Sequence, residues 1–164
     1  MKKSIFYLIC MLMTMAAIFM FSAQNFENTM KTSDVIVKPV ENHIKKTTDK
    51  TFETEKAETD YWKKLENKLD LIVRKSAHGF IFGILGLFSV LFFKSLSLEW
   101  ADAIMYAILF CMLYALSDEL LHQKKVDGRN ARFQDVCIDT FGAWVGTAVV
   151  YAVHKIKKLC KKTV

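Results

Sequence analysis

The chain has 164 residues, of which 52% are hydrophobic and 24% charged, with a formal charge of +6 and a mean hydropathy of +0.19. So much apolar content beside so much charge requires that the two be segregated along the chain, which excludes an ordinary soluble domain. The basic excess does not mark a nucleic-acid partner either, because the cations flank apolar runs instead of gathering on one soluble surface.

The first apolar run, 5–23, follows Lys2 and Lys3. It exceeds the usual length of a signal-peptide core, and Phe21 stands where a cleavage site wants a small residue, so it reads as an uncleaved anchor. Residues 25–72 are rich in Lys, Glu, Asp and Thr, and form the expected extracytoplasmic loop. Their sparse apolar residues predict a solvated, partly disordered stretch over 31–58. Tyr61, Trp62, Leu65, Leu69 and Ile72 then recur at helical spacing behind Asp60, a candidate N-cap. Trp and Tyr favour the headgroup level, so an interfacial helix near 60–72 is expected to lead into the second span.

Three further apolar runs, 77–93, 103–116 and 136–153, complete the pattern. The third of the four runs reaches membrane length only if Leu120 and Leu121 extend it past Ser117, Asp118 and Glu119. The expected fold is all-α: a multi-pass membrane protein with four transmembrane helices and an additional interfacial helix before the second. Gly79, Gly83 and Gly86 in the second span, and Gly142 with Gly146 in the fourth, predict close helix contact. A basic tail, 157–164, ends the chain, and cations at both ends place both termini in the cytoplasm. That orientation leaves Arg74, Lys75, Lys124, Lys125, Arg129 and Arg132 outside, so they are expected to be held by carboxylates or by an anionic partner. Cys10, Cys111 and Cys137 fall within spans and Cys160 follows the last, so no disulfide framework is implied.

Ionisable residues collect at one end of the spans. Arg74, Lys75 and His78 open the second, Asp118, Glu119, His122 and Gln123 close the third, and Asp135 and Asp139 open the fourth, with Arg129 just before it. Each charged side chain in hydrocarbon costs about 2.5–3.5 kcal/mol on insertion scales, so such groups face the bundle interior and mark function. Asp139, Gly142 and Gly146 share one helix stripe, which directs the acids to a helix contact. Three readings follow. The residues form a neutralised network that fixes the bundle, or an outward pocket for an anionic or hydrogen-bonding headgroup with arginines as its ligands. The third is a metal or hydrolytic site, in which Glu119 and His122 have the Glu-x-x-His spacing and are the general acid and base. Only His78, Asp135 and Asp139 could complete a metal shell, so neither metal nor cofactor is expected.

These residues resemble the VanZ-like family of bacterial membrane proteins. The resemblance rests on Phe21-Ser22-Ala23-Gln24, Arg74-Lys75-Ser76-Ala77-His78 with Ile84-Leu85-Gly86, and Ser117-Asp118-Glu119 with His122-Gln123. Gly128-Arg129 and Asp135-Val136-Cys137-Ile138-Asp139-Thr140 with Gly142 complete it. It makes residues 73–156 a VanZ-like core with three transmembrane helices. It implies a multi-pass protein of the bacterial plasma membrane and cell envelope, connected with resistance to the glycopeptide teicoplanin. Its expected partners are membrane lipids, a cell-wall precursor or the glycopeptide; no reaction is implied. The chain departs from the family pattern, Asp-Glu-x-His-Gln, by one residue between Glu119 and His122, and an extra residue turns a helix face by about 100°. Ile81-Phe82 stands in place of Glu-Tyr, and Asp127 in place of proline.

Overall fold

A computed structural model describes residues 2–22, 26–48, 50–122 and 133–161. Among them are five helices and no strand: α1 (Lys2–Ser22), α2 (Phe26–Thr47), α3 (Glu55–Ser95), α4 (Trp100–Ser117) and α5 (Phe133–Cys160), with a π-helical turn at Asp118–His122. Four are long and apolar enough to cross a membrane: α1, α3, α4 continued to Leu120, and α5. The backbone reason is that a helix satisfies all its own hydrogen bonds, which a lipid environment cannot do for it.

The chain divides into two compact units, one of residues 1–24 with 78–164, the other of residues 25–77. In the first, α3 and α4 are joined by a tight turn in which Leu96 and Ser97 N–H groups donate to the carbonyls of Phe93 and Lys94. Ser97 takes a left-handed conformation there, φ 68°. Lys94 Nζ donates to the Leu98 carbonyl at 2.6 Å and lies over the Trp100 ring. The same end carries Ser4, whose hydroxyl donates to the Ser95 carbonyl, and His154, stacked on Trp100 at 4.4 Å. The start of α1 and the end of α5 therefore lie at one end of this unit, as an even number of crossings requires.

Its core is a narrow apolar seam of Met11, Ile18, Phe82, Leu85, Cys111, Ala115, Val136 and Ala143. Polar groups tie the helices across it. Tyr114 donates to the Met15 carbonyl at 2.8 Å, and the Cys111 thiol donates to Ser89 Oγ at 3.7 Å. Most other large apolar side chains on the helices are exposed, among them Phe6, Met13, Phe80, Phe141 and Trp144, as expected of surfaces solvated by acyl chains.

The contact between α3 and α5 is made by backbone. A Cβ on Gly142 would stand 2.8 Å from the Gly79 carbonyl carbon, and one on Gly146 would stand 2.7 Å from that of Gly83. Both pairs have the same sequence offset, so the two helices run parallel through a pair of Gly-xxx-Gly faces. Gly86 sits equally close to the Ala143 carbonyl. Thr147, buried beside it, donates to the Ala143 carbonyl at 2.8 Å and reaches the Gly86 carbonyl at 3.4 Å.

The second unit corrects the expectation of a solvated loop over 31–58. Residues 26–47 are helical and form an antiparallel hairpin with the first part of α3: Ser33 bonds Asp70, while Lys45, further along α2, lies 5.1 Å over Trp62, earlier in α3. Among the described side chains of α2 the buried ones are Ser33, Val37 and Glu41, a stripe at helical spacing in which only Val37 is apolar. The i,i+4 ion pairs Lys38–Asp34 and Lys45–Glu41 link successive turns of this helix. The adjacent Asp34 carboxylate raises the Lys38 ammonium above its ordinary value. Pro39 lies inside this helix, at a cost of about 3 kcal/mol that tertiary contacts must offset.

The helix expected near 60–72 is the first part of α3. It begins earlier than its proposed cap: Thr54 Oγ1 accepts from the Ala57 N–H, and Asp60 lies inside the helix. Phe52, Tyr61 and Trp62 cluster at the tip, where Lys50 donates to the Tyr61 hydroxyl at 2.9 Å.

Candidate functional site

In the four-helix unit, polar groups from α1, α3, α4 and α5 gather at the end opposite Ser4 and His154. Asp118, Glu119 and Asp139 are 5%, 1% and 2% exposed, which is the burial expected of acids that avoid hydrocarbon by turning inward. Ser22, fully buried at the last residue of α1, donates its hydroxyl to Asp118 Oδ2 at 2.6 Å, the short geometry of a hydrogen bond to a charged acceptor. His78 Nδ1 lies 3.8 Å from Asp139 Oδ2. Asp118 and the half-buried Asp135 are near enough to act electrostatically on Asp139.

The local sequence explains these placements. Asp139 precedes Gly142 and Gly146 on the α5 stripe that meets α3, so the close backbone approach carries the carboxylate to the helix contact. On α4, Ala103, Ala107, Cys111 and Ala115 are buried at intervals of four and lead to Asp118 and Glu119. At that point the helix widens into the π turn, Asp118–His122. A π turn takes up one more residue than an α turn, so Asp118–His122 is a place where the helix departs from regular α spacing. π turns of this kind are rare and concentrate at functional sites.

The remaining predicted residues are distributed as follows. Arg74 and Lys75 belong to the other unit, where Arg74 Nη2 pairs with Asp70 Oδ2 at 2.8 Å, one turn earlier on α3. Asp70 is 3% exposed and accepts the Ser33 hydroxyl on its second oxygen, so one carboxylate joins both helices of the hairpin. The backbone of His122 closes the π turn; Gln123, Arg129 and Arg132 lie outside the described residues. Among the described residues no group of three His, Cys, Asp or Glu side chains could hold a metal ion.

Ser22, Ser33 and Asp70 were not among the residues singled out for chemistry. Asp70 was legible, because an acid four residues before an arginine on a helix is its default partner. Ser22 stands in the Phe21-Ser22-Ala23-Gln24 run that carries the family resemblance, but nothing in that run points to Asp118, 96 positions away, as its partner.

Among the described residues this end holds the buried carboxylates of Asp118, Glu119 and Asp139, the Ser22 hydroxyl bonded to Asp118, and the His78 imidazole. It suits a ligand that brings hydroxyl or amine donors into a region of low dielectric, where such bonds are strongest.

The VanZ/LLP1 family model matches residues 4–154, nearly the whole chain. The chain belongs to the VanZ/LLP1 family. The match covers α3 and α4 whole and most of α1 and α5, and it extends through α2, which the motif resemblance left out. No curated protein and no solved structure matches this VanZ/LLP1 chain.

Proposed function

We propose that this VanZ/LLP1 protein resides in the bacterial plasma membrane with both termini cytoplasmic. There it binds the headgroup of an anionic lipid or cell-wall precursor at its acidic end and so contributes to glycopeptide resistance. The observation that carries this reading is the burial of Asp118, Glu119 and Asp139 at one end of four membrane-length helices, each drawn from a segment otherwise apolar. Such groups are costly to retain in lipid and are kept where they serve a site. Headgroup hydroxyls and amines would donate to these carboxylates. From the sequence, Arg74, Arg129 or Arg132 is the expected ligand of a phosphate or carboxylate.

Teicoplanin susceptibility of cells expressing the parent, Asp139→Asn or Asp118→Asn tests the reading. The expected result is loss of protection in both variants while membrane accumulation, measured by immunoblot, stays at the parent level. Parent and variants protecting equally well would remove the proposal. Lipid profiles of cells expressing Glu119→Gln separate binding from catalysis: binding predicts profiles identical to the parent, whereas a changed lipid species assigns Glu119 to a membrane enzyme.

Orientation is checked separately in a cysteine-free background. Lys125→Cys is expected to react with an impermeant thiol reagent in intact cells and Lys162→Cys to react only after lysis. The reverse pattern would place the acidic end in the cytoplasm.

A further inference from the structure

We propose that the opposite, basic end of the four-helix unit is a docking surface for anionic phospholipid headgroups in the leaflet it faces. The inference is independent of the headgroup reading at the acidic end.

Aromatic and basic side chains meet there in an ordered way. Trp100 at the start of α4 is packed by Tyr151 at 5.5 Å and His154 at 4.4 Å, both from α5, and by Lys94 from the end of α3, 5.5 Å from its ring. Lys155 lies 5.4 Å over Tyr151. Trp and Tyr in such positions sit at the headgroup level of a bilayer, which sets the depth of this end.

Beyond that level α5 stays helical to Cys160. Its 28 residues rise about 42 Å at 1.5 Å each, more than the roughly 30 Å of a hydrocarbon core, so the last turns project into the headgroup region. Those turns are divided by side. Lys157 and Lys158 stand one turn beyond His154, continuing the side that faces Trp100, while Ile156 and Leu159 lie on another side at 59% and 64% exposure. Exposed apolar side chains and lysines separated on one helix are the pattern of a segment at an anionic interface: the apolar residues and lysine stems enter the acyl boundary, and the ammonium groups reach the phosphates. The opposing charges at this end are Glu99 and Asp102, both exposed at the start of α4. A cluster of cations immediately past a membrane span is the chemistry that selects anionic lipid.

The test uses the full-length protein in phosphatidylcholine vesicles carrying a trace of spin-labelled phosphatidylglycerol or spin-labelled phosphatidylcholine. The motionally restricted fraction of each is measured by electron paramagnetic resonance. The parent is expected to favour phosphatidylglycerol by about fivefold, the scale of one lysine near an anionic surface. The preference should fall to near unity in Lys155→Gln/Lys157→Gln/Lys158→Gln, persist in Lys63→Gln/Lys64→Gln, which removes two exposed cations of the other unit, and be insensitive to millimolar inorganic phosphate. These lysines are exposed, so the triple variant keeps its fold, which an unchanged phosphatidylcholine fraction verifies. Equal restriction of both lipids by the parent would overturn the proposal. So would a preference that survives in the triple variant, or one that inorganic phosphate abolishes, since that describes a free-anion site.

Discussion

Replacing Gly142 and Gly146 together with alanine is expected to remove most of the folded protein from membranes, while Gly79→Ala accumulates at the parent level. A methyl group at Gly142 would overlap the Gly79 carbonyl, and one at Gly146 would overlap the Gly83 carbonyl; in each case the obstruction is rigid helix backbone. Relief requires α3 and α5 to separate, which loosens the contact that holds Asp139 beside His78. Overpacking of this kind costs about 1–3 kcal/mol per site, and the two sites lie one turn apart on the same face, so the helices must give way at both. At Gly79 a methyl group would meet the Ile138 Cγ2 methyl at 3.5 Å, an ordinary van der Waals contact. Thermal unfolding in detergent checks the order. Equal melting temperatures for the double variant and the parent would show that α3 and α5 do not approach by backbone.

The second large effect is expected in the hairpin. Asp70→Ala should destabilise the pairing of α2 with α3 by about 1–3 kcal/mol, the cost of leaving buried polar groups without their acceptor. Asp70 bonds Arg74 on one oxygen and Ser33 on the other, so a single truncation releases both. The residue is nearly fully buried and Arg74 mostly so; neither is relieved by water without opening the hairpin. Hydrogen exchange of the amides over 33–47 reports this opening directly, and those amides should exchange about five to a hundred times faster in the variant, the same energy written as a ratio. An Asp70→Leu/Arg74→Met pair, which removes both charges in similar volume, should recover much of the protection. Unchanged exchange in Asp70→Ala would mean that this ion pair does not hold α2.

How much of this was readable beforehand varies with the solvent each residue meets. The membrane-length helices were legible because lipid demands long apolar runs, and the α3–α5 contact because glycines at i and i+4 have few other uses in a span. Inward burial of Asp118, Glu119 and Asp139 followed from the cost of the alternative. The helix over 26–47 was not legible. Among its described side chains the buried ones are Ser33, Val37 and Glu41, and Pro39 and the many charges argue against a helix, so packing on α3 has to hold it. The start of α3 was misplaced for a related reason. Thr54 and Asp60 are both good N-caps, and the choice between them rests on the Thr54 bond to Ala57 and on the cluster of Phe52, Tyr61 and Trp62.

The sequence by itself determined which segments are long and apolar enough to cross a membrane, that the start of α1 and the end of α5 share an end of the four-helix unit, and that acids gather opposite them. Those are consequences of transfer energies and of counting, and each is a property of a segment alone. Tertiary structure decided the pairings, Ser22 with Asp118, His78 with Asp139 and Asp70 with both Ser33 and Arg74, and the π turn at Asp118–His122. A buried polar group must find a partner, but which one it finds depends on where neighbouring helices place theirs, to within an ångström.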